Sequence, residues 1–215
     1  MRTKVIVTIA LLIACAGPAF AQTPIKNEFY PLEVGNRWTY SVKEDAKKKD
    51  ADPKKKVEIV VERAEVYVQK NIKDGATIEN KFTGYILKST SGDKVSRDHV
   101  VVTDTGIQRI HLAGTPINPP LTFFKFPVKA DESWTCESIS GSTTIKGTFT
   151  AKQAVAESPK GKLDYWIITF TNNQTGNERI QIDYWFARGY GMIKQHVRSG
   201  NSEIILELDK FEPAR

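Results

Sequence analysis

Residues 178–198 read ERIQIDYWFARGYGMIKQHVR, and this stretch decides the fold class. From Ile180 to Ala187 an aliphatic or aromatic side chain recurs at every second position, the spacing of a β-strand and not of a helix. Gly189 and Gly191 then flank Tyr190 at a reversal, where positive φ favours glycine. Met192 to Arg198 resumes the alternation, so the segment reads as an antiparallel hairpin. Alternation also sends Trp185 to one face and Tyr184 and Phe186 to the other. With both faces apolar, this strand is expected in the middle of a sheet and covered on both sides.

The same grammar extends outward. Alternating runs rich in Val, Ile, Thr, Tyr and Phe occupy residues 57–69, 81–88, 95–103, 107–112, 133–138, 143–155, 163–171 and 203–208. Most joints carry turn chemistry: Ser91-Gly92-Asp93, Asp104-Thr105-Gly106, Pro159-Lys160-Gly161 and Ser199-Gly200-Asn201. Past the first 21 residues no stretch sustains a helical stripe. Sequential strands joined by short turns form a meander, and a sheet of roughly a dozen strands curls instead of staying flat. The expected fold is all-β: a strongly curved antiparallel sheet, an open half-barrel, preceded by a signal helix.

Two segments match at the same spacing: Pro31-Leu32-Glu33-Val34-Gly35-Asn36-Arg37-Trp38-Thr39 and Pro127-Val128-Lys129-Ala130-Asp131-Glu132-Ser133-Trp134-Thr135. Each reads Pro, aliphatic, charge, small aliphatic, three polar or Gly, Trp, Thr. This predicts one β domain over 22–215 made of two similar meanders, pseudo-repeats at about 31–115 and 127–211. Residues 116–126, rich in Pro and Phe, would be the linker between them.

The N-terminus has the parts of a secretory leader in order. Arg2 and Lys4 are followed by an apolar run, a Gly17-Pro18 break and Ala19-Phe20-Ala21. Cleavage after Ala21 would make Gln22 the first mature residue, exported to the periplasm or beyond the cell. Leu12-Ile13-Ala14-Cys15 supports a second reading, a lipidated Cys15 and a membrane-anchored lipoprotein. The apolar run is too short to span a bilayer, which takes roughly 20 residues, and no later segment is apolar enough to do so. The chain has 215 residues and a formal net charge of +6, two of those charges in the leader. So mild an excess does not argue for nucleic acid. One of the two cysteines is Cys15, so after cleavage Cys136 has no intrachain disulfide partner and packing must hold the fold. The basic run Lys47–Lys56 contains no aromatic residue and reads as a solvated hairpin loop.

The segments YPLEVGNRWTY, FPVKADESW, DYWFARGYGMIKQ and EIILELDKFEP resemble an uncharacterised family of secreted bacterial β-sheet proteins. The resemblance rests on a repeated Pro-Leu-x-x-Gly-Asn-x-Trp segment and a C-terminal Trp-Phe-Ala-x-Gly-x-Gly-x-Ile-Lys segment. Asp131 departs from it, standing where the family has Gly. The resemblance implies a curved antiparallel sheet of the kind seen in bacterial lipoprotein carriers. It implies no catalytic residue.

Chemical motifs are few. His99, His111 and His196 lack metal-ligand spacing, and neither a nucleophile elbow nor a phosphate-binding loop is present. No metal or cofactor is expected. Asp164 and Asp183, beside aromatic residues, carry a remote glycan-hydrolase reading. The favoured reading is a non-enzymatic envelope protein holding an apolar molecule, such as a lipid, on the concave sheet. Trp38, Trp134, Phe123, Phe124 and Phe126 are the candidate ligand-binding residues. The alternative is a structural or interaction module contacting another envelope protein. The oligomeric state is open.

Overall fold

The computed structural model describes residues 28–44, 55–73, 76–158, 161–172 and 179–215. The leader with Cys15, Ala21 and Gln22, and most of the basic run, lie outside the described residues. Twelve strands form, in chain order β1 (Arg37–Glu44), β2 (Lys56–Lys73), β3 (Ala76–Ser91), β4 (Lys94–Thr103), β5 (Gly106–Leu112), β6 (Thr115–Lys125), β7 (Ser133–Ser140), β8 (Thr143–Ser158), β9 (Gly161–Asn172), β10 (Ile180–Ala187), β11 (Gly191–Ser199) and β12 (Ser202–Glu212). No helix occurs among the described residues, so none there is long and apolar enough to cross a membrane.

The sheet is a closed barrel, and the expected open half-barrel is corrected. Each strand pairs antiparallel with its neighbours in sequence, and β1 closes the ring on β12 from Arg37↔Glu212 to Glu44↔Ile204. Closure removes two edges whose backbone N–H and C=O groups would otherwise lie unpaired. Bulges supply the bending. They interrupt the register at Thr39/Tyr40, Val61/Arg63, His99/Val100, Ile107/Gln108 and Trp185/Phe186, and each adds local twist.

The strand read first, β10, is paired on both sides, and although Asp183 and Ala187 on its outer face are buried too, only its inner face belongs to the barrel core. Tyr184 and Phe186 point into the barrel. Trp185 is half-buried on the outer wall, with the Lys194 ammonium 5.4 Å above its ring. In a closed sheet one face suffices for the core.

The expected linker is strand β6. Pro119 and Pro120 are tolerated because they have no ladder partner on either side: β5 pairs with β6 only at residues 115–116, 121–122 and 124–125, and β7 only at Ile117↔Ser140 and Asn118↔Ile139. Pro119 and Pro120 lack the N–H that a continuous ladder needs, so the β6–β7 seam is the thinnest in the wall. Six strands precede the 126–132 connection and six follow it.

The two Trp segments have the same backbone bonding. Gly35 N donates to Val61 O, Val61 N to Asn36 O, and Asn36 N to Glu33 O, at 2.9–3.0 Å. Asp131 N donates to Ala151 O, Ala151 N to Glu132 O, and Glu132 N to Lys129 O, at 2.8–3.3 Å. Both turns need a left-handed residue: φ is 98° at Gly35 and 61° at Asp131. Asp is among the few side chains that visit this region at low cost, so the departure from Gly keeps the turn.

Candidate functional site

The barrel has two unlike ends. The turns at 104–105, 126–132 and 188–190 gather at one, those at 92–93, 113–114, 141–142 and 200–201 at the other.

The first end is plugged. Residues 28–32 lead into β1 across it, burying Phe29, Tyr30 and Leu32. The Tyr30 ring lies 5.4 Å from Phe186, 5.9 Å from Trp38 and 6.3 Å from Phe123. Burial pushes its phenol well above the ordinary tyrosine value. Two chords tie β1 to the β10–β11 hairpin, passing over β12: Trp38 Nε1 donates to Tyr190 O at 2.6 Å, and the Tyr40 hydroxyl to Met192 O at 2.8 Å. Gly191 is required under them, since a Cβ there would lie 3.2 Å from both Trp38 Nε1 and Tyr30 Cδ2. Asn36, fully buried, locks the segment. Its amide donates to Pro31 O at 2.7 Å, and its Oδ1 accepts from Ala214 N at 2.6 Å. The Pro-Leu-x-x-Gly-Asn-x-Trp pattern is thus the chemistry of a plug: a buried Leu32, a left-handed Gly35, a bridging Asn36 and an anchored Trp38.

The second end contains a chamber of about 510 Å³. Leu121, Phe123, Ile145, Phe149, Phe170, Ile182 and Tyr184 supply most of its wall, Thr143, Asn172, Ile180 and Ser199 its rim. Cavities of a few hundred Å3 with apolar walls and few polar groups are the usual form of small-molecule sites. Two cations line it: Lys146, exposed and paired with Glu137 at 2.8 Å, and Arg109, set into the wall. Arg109 lies in β5 with its guanidinium carbon 5.1 Å from the Phe123 ring centre. Burial works against its charge, but Tyr184, Asp98 and Tyr30 around it hold its pKa above the ordinary arginine value.

The candidate residues are dispersed. Phe123 alone among them lines this chamber. Trp38 is completely buried under the plug and stacks on Phe211 at 5.3 Å, a core position. Phe124 and Phe126 border a more open hollow of about 630 Å³ at the plugged end, with Phe29, Trp166 and Arg188. Trp134 stacks on Phe149 at 5.5 Å and lines a third hollow of about 330 Å³ with Pro119 and Pro120. The Phe-rich segment is therefore wall.

Asp164 and Asp183 do not converge. Thr169 pairs with Asp183 and Ile168 with Tyr184, so alternation puts Asp183 on the outer face and Asp164, two residues before the buried Trp166, on the inner. Asp183 is engaged by Arg198, by the Thr169 hydroxyl at 2.7 Å and by Gln181 at 3.2 Å. No group of three or more His, Cys, Asp or Glu side chains among the described residues could hold a metal ion. Cys136 is half-buried, and burial raises its thiol pKa.

Two features escaped the sequence reading. Arg109 sits in an alternating run where its phase with Ile107 marks it as inward-facing, a signal that was legible. His99 and His111 lie across the β4–β5 hairpin with ring centres 4.4 Å apart. Counting outward from the Asp104-Thr105-Gly106 turn pairs His99 with Ile110, and only the bulge at His99/Val100 brings it opposite His111. Burial and the second ring lower the His99 pKa.

The molecule belongs to the class of closed up-and-down β-barrels, here with one end plugged and an apolar chamber at the other. No protein-family model matches the chain, and no curated protein matches it significantly. Two crystal structures are similar to it. One is an inferred lipoprotein from Parabacteroides distasonis, with 8% identity over 86% of this chain and 98% of that one, at a TM-score of 0.42. The other is an inferred exported protein with a YmcC-like fold from Bacteroides fragilis, with 9% identity over 86% of this chain and 99% of that one, at a TM-score of 0.43.

Proposed function

We propose that this chain is an exported, non-enzymatic cell-envelope protein that holds an apolar small molecule, a lipid or acyl chain, in the chamber at the unplugged end of its barrel. The chamber of about 510 Å³ carries the reading. Tyr30, Trp38, Phe124 and Phe186 pack ring against ring toward the plugged end, yet Leu121, Phe123, Phe149, Phe170 and Ile182 stop short of closing this end. Leaving such a wall without an occupant forfeits dispersion contacts on every lining side chain. Export rests on the leader ending at Ala21, and lipidation at Cys15 is its anchored variant.

The test is native mass spectrometry of protein purified gently from its own host, with titration of a fluorescent apolar probe. The expected result is a co-purifying small apolar molecule. Ile182→Trp, which fills the chamber, should weaken probe binding about tenfold or more. A bare mass together with no probe binding would refute the reading.

The β2–β3 extension favours a second reading. Val66 is 71% and Val68 39% exposed on one face of that hairpin. An interaction module would use this face, and its chamber would take no probe.

A further inference from the structure

The chamber holds a cation that an apolar ligand by itself does not explain. Arg109 has its side chain 20% exposed, among apolar residues. Its Nε is buried and has no hydrogen-bond partner among the described residues. Asp98 forms an ion pair with it, Oδ2 lying 3.5 Å from that Nε, a separation too long for a good N–H hydrogen bond, and Asp98 Oδ1 already accepts from Ala113 N at 2.8 Å. Tyr184 meets the guanidinium from β10. A guanidinium offers five N–H donors in a planar fork that matches a carboxylate, and desolvating it is costly unless those donors are met.

We propose that the ligand of this chamber is an apolar chain ending in a single carboxylate, such as a free fatty acid. The chain lies among Leu121, Phe123, Phe149, Phe170 and Ile182, and the head group sits on the Arg109 fork beside the Tyr184 hydroxyl. The proposal rests on the reading of the chamber as a binding site. It assigns opposite roles to two neighbours: Arg109 attracts the head group, and Asp98, with like charge, limits its affinity. Asp98→Asn keeps an acceptor for Ala113 N while removing that repulsion.

The experiment compares cis-parinaric acid with its methyl ester, two fluorescent probes that share one chain and differ in the head. Both are titrated into protein stripped of endogenous lipid. The expected result is an acid affinity about tenfold or more above that of the ester. That ratio should fall toward one in Arg109→Met and rise in Asp98→Asn. Equal binding of acid and ester by the unmodified protein overturns the carboxylate assignment and leaves the chamber reading standing. A tenfold ratio that persists in Arg109→Met overturns the role of Arg109. Binding of neither probe overturns both readings. The comparison on the unmodified protein does not depend on the variants folding.

Discussion

Replacing Tyr40 by Phe removes one oxygen from the plugged end and has two separable consequences. The Tyr40 side chain is 1% exposed, and its hydroxyl donates to Met192 O at 2.8 Å. That carbonyl adjoins the bulge where Phe186 pairs with Met192 after the register shift. Losing the bond removes roughly 1 kcal/mol of net stabilisation, and leaving the carbonyl buried without its partner adds about 1 kcal/mol or more. The expected loss at neutral pH is about 2 kcal/mol, which lowers the Tm by roughly 4–8 °C in a chain of this size. The second consequence is alkaline. Burial holds the Tyr40 phenol well above the ordinary tyrosine value. A group whose folded pKa is raised contributes its full stability below the unfolded pKa, near 10, and loses it as pH rises toward the folded pKa. Each such tyrosine steepens the decline above about pH 10 by up to ~1.4 kcal/mol per pH unit. Tyr30 is raised in the same direction, so Tyr40→Phe should flatten the decline without abolishing it. Urea unfolding followed by tryptophan fluorescence from pH 7 to pH 11 measures both effects. A variant within about 0.3 kcal/mol of the parent at pH 7, or one with an unchanged alkaline slope, would refute the chord as described.

Gly147→Ala should destabilise the barrel by about 3 kcal/mol or more, because a Cβ at Gly147 would lie 2.4 Å from both the Phe170 ring and Thr171 O; chemical denaturation measures it, and a loss under ~1 kcal/mol would show that β8 and β9 can part. At the paired turns the signs should differ. Gly35→Ala, at φ 98° and 3.3 Å from the Ala214 Cβ, should cost about 1–2 kcal/mol. Asp131→Gly should range from neutral to about 1 kcal/mol stabilising, since relief of the left-handed cost is offset by unfolded-state entropy; a clear loss in Asp131→Gly would mean that the Asp131 side chain has a role of its own. Asn36→Ala leaves Pro31 O and Ala214 N without their side-chain partner and should cost about 2–3 kcal/mol, with faster amide exchange near the plug as its signature.

The candidate site was only partly legible. Phe123 was named from an apolar, Pro-rich segment, and it does line the chamber. Trp38 and Trp134 begin strands, where a large ring can cap the end of an open sheet. The ring closed instead, and Trp38 became part of the sealed core. Ile182 and Phe170 carried no signal separating them from other inward-facing residues. Whether an inward side chain meets a filled or an empty stretch of lumen depends on what stands opposite, several strands away. Gly147 was legible in kind, since glycine inside an alternating strand marks a close approach, but nothing local names Phe170 as its neighbour.

The strand alternation, the Gly and Asp turns and the paired Trp segments determined by themselves that the chain is all-β, that consecutive strands pair antiparallel, and that Gly35 and Asp131 occupy like places. These are local properties, set by the two-residue pleat and by which side chains tolerate left-handed turns. The tertiary structure alone decided that the sheet closes, with Trp38 beside Phe211 at the seam, that residues 28–32 plug one end, and that Arg109 faces an unfilled chamber at the other. Closure follows from the accumulated twist and stagger of twelve strands and from bulges that shift register. Such quantities add up over the whole sheet and leave no mark on any short stretch of the chain.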